Sequence, residues 1–141
     1  MKSSGVWVRE EKLSQSLEDW IYKGFREHSL ESIGHDGGIE PFVLTAYEDS
    51  KRLGIVVART FWGAWHIKHL YIPPYARKKG VGSQLMEKAL EKGREKGCPF
   101  AFVETMSFQA VDFYKKLGFI QEFSRLGYAK GTSFHYLKLP L

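Results

Sequence analysis

Seven residues, Arg77-Lys78-Lys79-Gly80-Val81-Gly82-Ser83, combine three cations and two glycines in a register that can grip a phosphate. They follow a hydrophobic run at 67–72 and a Pro73-Pro74 turn, and they open a helical pattern. The first N–H groups of a helix have no partner inside it and point outward. The helix dipole adds partial positive charge at the same end, so the backbone itself favours an anion there. Gly80 and Gly82 remove the Cβ atoms that would hold phosphate oxygens away from the chain. Arg77, Lys78 and Lys79 surround the rim with charge-assisted donors. The spacing is neither that of a P-loop nor the G-x-G-x-x-G of dinucleotide folds. Alone, so short a motif is more often a solvated basic turn. Its flanking elements make it a pyrophosphate cradle.

Those elements are legible as periodicities. Residues 65–72 read as a strand. Residues 81–96 read as a helix burying Val81, Leu85, Met86, Ala89 and Leu90, with Gly97 as its end. Residues 100–105 read as a buried strand. Ala110, Phe113, Tyr114 and Leu117 then recur at i, i+3, i+4 and i+7 on a short helix that Gly118 closes. Upstream, residues 42–47 and 53–60 are β-rich and flank the polar hairpin segment Glu48-Asp49-Ser50-Lys51-Arg52; Phe61-Trp62-Gly63-Ala64 is a second tight turn. Residues 13–28 predict an amphipathic helix on Leu13, Leu17, Trp20, Ile21 and Phe25, residues 29–39 a glycine-bearing loop, and residues 6–9 a short edge strand. Two final strands are expected at 120–124 and 134–139. The expected class is α/β, a mixed sheet flanked by helices on both faces.

The order strand, R-x-x-G-x-G, helix, strand, then a helix carrying Phe113-Tyr114-Lys115-Lys116-Leu117-Gly118-Phe119 resembles the GCN5-related N-acetyltransferase (GNAT) superfamily. The cradle and its helix match that family's motif A and the second helix its motif B. The resemblance covers roughly residues 40–139. It implies one GNAT-like domain over residues 1–141 and direct attack of an amine on the thioester of acetyl-CoA within a ternary complex. The coenzyme contacts it implies are the backbone of Leu70, Tyr71 and Ile72 for the pantetheine arm and Arg77, Lys78, Lys79, Gly80, Val81, Gly82 and Ser83 for the phosphates. Ser107, Phe113 and Lys116 add contacts near motif B. Ser107 stands where many relatives carry Asn, and Lys78 where Gly is common. Tyr114 takes the position of the motif B tyrosine, the acid for the departing thiolate.

The acceptor must also lose a proton, because an alkylammonium has a pKa near 10.4. A base is therefore needed, directly or through water. Glu104 is preferred, with His66 and His69 as alternatives. Each also has a plain structural reading, as a solvated strand-end carboxylate or as a packed histidine.

A net charge of +5 favours anionic partners. The densest basic cluster is already in the cradle, and Glu alternates with Lys along 87–96, so a coenzyme accounts for the charge better than nucleic acid. A single cysteine, Cys98, forbids an internal disulfide and fits a reducing cytoplasm. No apolar run reaches the ~20 residues of a membrane span, and residues 1–10 show no secretory leader. No metal is expected. The preferred acceptor is a small-molecule amine, met by Glu27, His28, Glu31, His35, Asp36, Tyr128 and Lys130, with Trp62 and Trp65 as an aromatic wall. Acetylation of a protein lysine or N-terminus, and a non-catalytic CoA-binding sensor, are the alternatives. The family's frequent homodimers would here use 134–139 as an edge strand.

Overall fold

A computed structural model describes residues 5–141, so the expectation for residues 1–10 lies partly outside the described residues. The chain falls into two compact units, one ending at Asp36 and the other spanning Gly37–Leu141. The first unit is built on α1 (Gln15–Ile33). Ser14 caps it by accepting from the Leu17 N–H at 3.2 Å, and Gln15 Nε2 donates to Asp19 Oδ1 at 2.8 Å one turn on. The helix starts two residues later than expected and runs five further. Its stop is Gly34, left-handed at φ 69°, whose N–H bonds to the Leu30 carbonyl. Residues 6–9 form no strand.

The second unit is a six-stranded sheet in the order β1-β2-β3-β4-β6-β5. Its strands are β1 (Pro41–Glu48), β2 (Lys51–Phe61), β3 (Ala64–Tyr71), β4 (Phe100–Met106), β5 (Ile120–Arg125) and β6 (Phe134–Pro140). The β2–β3 turn is two residues with positive φ, Trp62 at 50° and Gly63 at 87°, the backbone that suits a tight hairpin. Every pair is antiparallel except β3–β4, which are joined by the crossover helix α2 (Val81–Glu95). That parallel pairing covers only Trp65↔Ala101, His66↔Phe102 and Ile67↔Val103. Beyond it the strands part. A bulge explains the fork: Val57 pairs with His69 but Ala58 with Ile67, so Lys68 is an extra residue. Such a bulge bends its strand and sharpens its twist. β6 lies between β4 and β5, so the expected edge at 134–139 is interior. The free edges are β1 and β5. Leu137 of β6 is fully buried, whereas every residue of β5 is exposed.

α2 packs Val81, Leu85, Met86, Ala89 and Leu90 onto Val56, Ala58, Trp65, Ile67, Ala101 and Val103 of the sheet. The Trp65 indole donates to the Ala89 carbonyl at 2.9 Å and locks helix to strand. Trp65 is therefore core and not the aromatic wall expected of it. Its ring lies so close to α2 that a Cβ on Gly93 would stand 2.7 Å from Cδ1. Gly93→Ala should accordingly destabilise the fold by about 1–3 kcal/mol through overpacking, although alanine is the better helix former by about 1 kcal/mol. Urea denaturation would show this as a lower midpoint. A higher midpoint would mean that the ring has room to move.

Candidate active site

The cradle is built on a short 3-10 turn, Pro74–Ala76, pinned to β2 by the Tyr75 hydroxyl, which donates to the Arg52 carbonyl at 2.5 Å. Arg77 folds back so that its Nε donates to the Ile72 carbonyl at 2.9 Å, which fixes the guanidinium and leaves its terminal nitrogens free of that bond. Lys78 adopts φ 62°, the left-handed conformation in which glycine would be unstrained. Gly80, at φ 78°, is the N-cap of α2, and no side chain caps that end. The helix N–H groups there stay available to a ligand. Gly82 serves a different purpose, since a Cβ on it would stand 3.3 Å from the Phe113 ring. It lets α2 approach α3 (Val111–Lys116) across a narrow gap.

Two adjoining hollows meet at that gap. One, about 570 Å³, is lined by Leu70, Tyr71, Ile72, Arg77, Gly82, Phe108, Gln109, Ala110 and Phe113. The other, about 260 Å³, is lined by Ile72, Ala76, Arg77, Lys78, Gly80, Val81, Gly82, Ser83 and Phe113. They share Ile72, Arg77, Gly82 and Phe113, so the parted end of β3 runs into the cradle. Ten of the expected coenzyme residues thus gather in one continuous groove.

Three do not. Lys79 and Lys116 are exposed and line neither hollow. Ser107 lines a third hollow, with Ser133 and His135, that shares Gln109, Ala110 and Phe113 with the first. Its hydroxyl accepts from the Ser133 N–H at 2.9 Å, and its own N–H donates to the Ser133 carbonyl at 2.8 Å, tying the end of β4 to β6. Phe108 and Gln109 stand in the groove instead, and the sequence reading missed them. The Gln109 side-chain oxygen Oε1 accepts from the Met106 N–H at 2.8 Å and holds the loop after β4. No periodicity marks those positions; only the topology does.

Tyr114 is buried, its ring edge-on to Phe113 at 5.4 Å and to Phe119 at 5.6 Å. Burial pushes its pKa up to about 12. Its hydroxyl makes no hydrogen bond to a described residue, yet no buried side-chain oxygen or nitrogen among the described residues is left unpartnered. The hydroxyl therefore keeps some access to solvent. Glu104 is the first residue of β4 past the last paired position, at the fork itself. Of the three candidate bases, the structure joins two: His66 Nε2 stands 2.8 Å from Glu104 Oε1. His69 is exposed and apart from them. His66 also receives a hydrogen bond at Nδ1 from Arg59 Nε, at 3.2 Å. It stacks on Phe102 with centroids 4.5 Å apart and planes 3° from parallel. Burial first, then the positive charges of Arg59 and Lys68, lower its pKa from 6.5 against the upward pull of Glu104. The contact is thus a hydrogen bond rather than an ion pair. Arg59 was also missed, and its signal was there: an arginine inside the apolar run 55–61.

Tyr136 lies directly across from Glu104 on β6, so their side chains share a face. Phe134 and Phe123 flank Tyr136 at 5.2 and 6.2 Å, and Tyr128 adjoins Phe134 at 6.0 Å. Cys98 is buried in the core, where desolvation raises its pKa, as befits an inert thiol. No group of three or more metal-ligating side chains occurs among the described residues, and no helix there is long and apolar enough to cross a membrane.

The chain matches the family model described as acetyltransferase (GNAT) family over residues 7–119. It is 34% identical over 91 residues to the blasticidin-S acetyltransferase of Streptomyces morookaense, a match covering 64% of this chain and 67% of that protein. The structure of an acetyltransferase from Bacillus cereus ATCC 14579 is similar with a TM-score of 0.82 at 28% identity, over 95% of this chain and 98% of the other. A Bacillus subtilis acetyltransferase in complex with CoA shares the fold at a TM-score of 0.62 and 19% identity, over 94% and 95% of the two chains.

Proposed function

This chain belongs to the acetyltransferase (GNAT) family, and on that premise we propose that it moves the acetyl group of acetyl-CoA to a primary amine of a small cationic molecule by direct attack. The observation that carries this reading is the continuous groove from the fork of β3 to the N-terminus of α2. Its cradle end, with Arg77, Lys78 and the N–H groups of residues 81–83, suits a diphosphate. Its other end offers the backbone of Leu70, Tyr71 and Ile72, whose side toward β4 has lost its strand partner. Backbone groups in that position seek a partner, and an extended amide-bearing arm supplies one. The bound CoA of the Bacillus subtilis relative supports the same cofactor here.

An amine N attacks the thioester carbon, and the C–S bond then breaks to release the CoA thiolate. Backbone N–H groups of β3 suit the oxyanion that forms between those steps. Glu104 takes the ammonium proton of the acceptor, and Tyr114 donates to the departing sulfur. A carboxylate beside exposed aromatics suits a cationic acceptor through ion pairing and cation–π contact, and the blasticidin-S acetyltransferase supports a small-molecule acceptor. Thiol release from acetyl-CoA across polyamines, aminoglycosides, nucleoside antibiotics, arylamines and lysine peptides tests this. Small cationic amines should exceed background hydrolysis well ahead of the peptides. The reverse order would make the acceptor a protein. Silence with every amine, while acetyl-CoA still binds, would make the chain a CoA sensor.

A further inference from the structure

We propose that His66 is the positioning residue of Glu104, and that Arg59 fixes it there as a one-way hydrogen-bond donor. This rests on the reading of Glu104 as the group that takes the acceptor's proton. The three side chains form a row across three strands of one sheet face. Arg59 of β2 pairs in register with His66 of β3, and His66 sits beside Phe102 and Glu104 of β4.

The direction of the row follows from what each atom can do. A guanidinium only donates, so Nδ1 of His66, 3.2 Å from Arg59 Nε, must accept. A neutral imidazole that accepts at Nδ1 carries its proton on Nε2. That proton points at Glu104 Oε1, 2.8 Å away. Turning the ring to exchange its nitrogens would break both hydrogen bonds and, on the way, its flat stacking on Phe102. Arg59 is itself held over the Phe61 ring at 5.4 Å.

The charged groups facing the imidazole are Glu104, Arg59 and Lys68. Two cations and burial oppose a second proton on the ring; one carboxylate favours it. The ring stays neutral. A neutral N–H orients a carboxylate while drawing less charge from it than an imidazolium would. It also occupies one oxygen only. Glu104 makes no other hydrogen bond or ion pair with a described residue, and its side chain keeps 30% of its exposure, so Oε2 is left for an incoming ammonium. Without the imidazole, the carboxylate would swing among rotamers at the fork.

The test reads the ring and the rate separately. Ring ¹⁵N shifts of His66, assigned by loss of its signals in His66→Gln, should show a neutral Nε2–H tautomer from about pH 6 to 8. Arg59→Met should make the same ring take its second proton at a higher pH than in the parent, because one cation fewer then opposes Glu104 while burial is unchanged. An Nδ1–H tautomer, or a cationic ring at pH 7 in the parent protein, would overturn the proposal. His66→Phe should lower kcat about tenfold or more with the KM for acetyl-CoA unchanged, through misplacement of the base. His66→Gln, whose amide can accept from Arg59 and donate to Glu104, should recover most of that loss. A mere packing role predicts the opposite order, with phenylalanine the better substitute. If Glu104→Gln kept full activity, the reading of the base would fall instead, while the tautomer measurement would still report on Arg59 and His66.

Discussion

Tyr114→Phe should fold as its parent does and lose about a hundredfold in kcat, with the KM for acetyl-CoA little changed. The substitution removes one oxygen that bonds to no described residue, and it leaves the ring contacts with Phe113 and Phe119 in place. Stability has no bond to lose. The rate does, because a departing thiolate needs a proton or a strong donor at the moment the C–S bond breaks, and a positioned acid is worth about 10²–10⁴-fold. With its pKa pushed up to about 12 by burial, the phenol stays protonated throughout the neutral range and beyond pH 10, where an ordinary tyrosine would be half ionised. Activity should therefore not fall near pH 10 on account of Tyr114. The same shift makes full proton transfer to the thiolate uphill, because an alkyl thiol is a stronger acid than a phenol of pKa about 12. The phenol then acts mainly as a hydrogen-bond donor, which places the expected loss at the low end of that range. Thiol-release kinetics and a melting curve together check this. A folded variant with unchanged kcat would take Tyr114 out of the mechanism.

The elements that position this site were legible because their signals are local. The face of α2 from Val81 to Leu90 repeats every three to four residues, and all five apolar positions read from the sequence are buried. The cradle was legible because its glycines, its cations and the preceding prolines adjoin one another. Lys78 shows how far that reading reached: a lysine where glycine is common does occupy a glycine-like conformation. What failed was decided across strands. The place of β6 inside the sheet follows from pairing with β4, residues 28 to 40 positions earlier, and no run of side chains announces it. Trp65 reads as exposed or buried equally well until Gly93 on α2 is seen to make room for its ring. Ser107 was assigned by motif position, and only the fold shows that its hydroxyl also accepts from Ser133 at the start of β6. The row from Arg59 to Glu104 depends on the bulge at Lys68, which resets which residues face each other.

The same fork makes Glu104→Gln the sharpest test of the chemistry. Glutamine keeps the shape of the side chain and can still accept from His66 Nε2–H through its carbonyl oxygen, so the fold and the row should survive. It cannot take a proton. At pH 7 only roughly one alkylamine in 2,500 is unprotonated, given a pKa near 10.4. With an alkylamine acceptor, kcat/KM at pH 7 should fall by about a hundredfold or more. It should then climb tenfold per pH unit as the solution, rather than the enzyme, removes the proton. An arylamine is already unprotonated at pH 7 and needs no base to become a nucleophile. Its rate should therefore fall far less in the same variant. That contrast separates the two roles a carboxylate at the fork can have. If Glu104 only binds the cationic acceptor, the alkylamine loses affinity, KM rises, and raising the pH toward 10 restores nothing. If Glu104 takes the proton, the loss in kcat/KM follows the pKa of the acceptor and is restored by pH. Equal losses for both acceptors at every pH would show that the side chain shapes the fork without taking a proton, and deprotonation would then fall to water between β3 and β4.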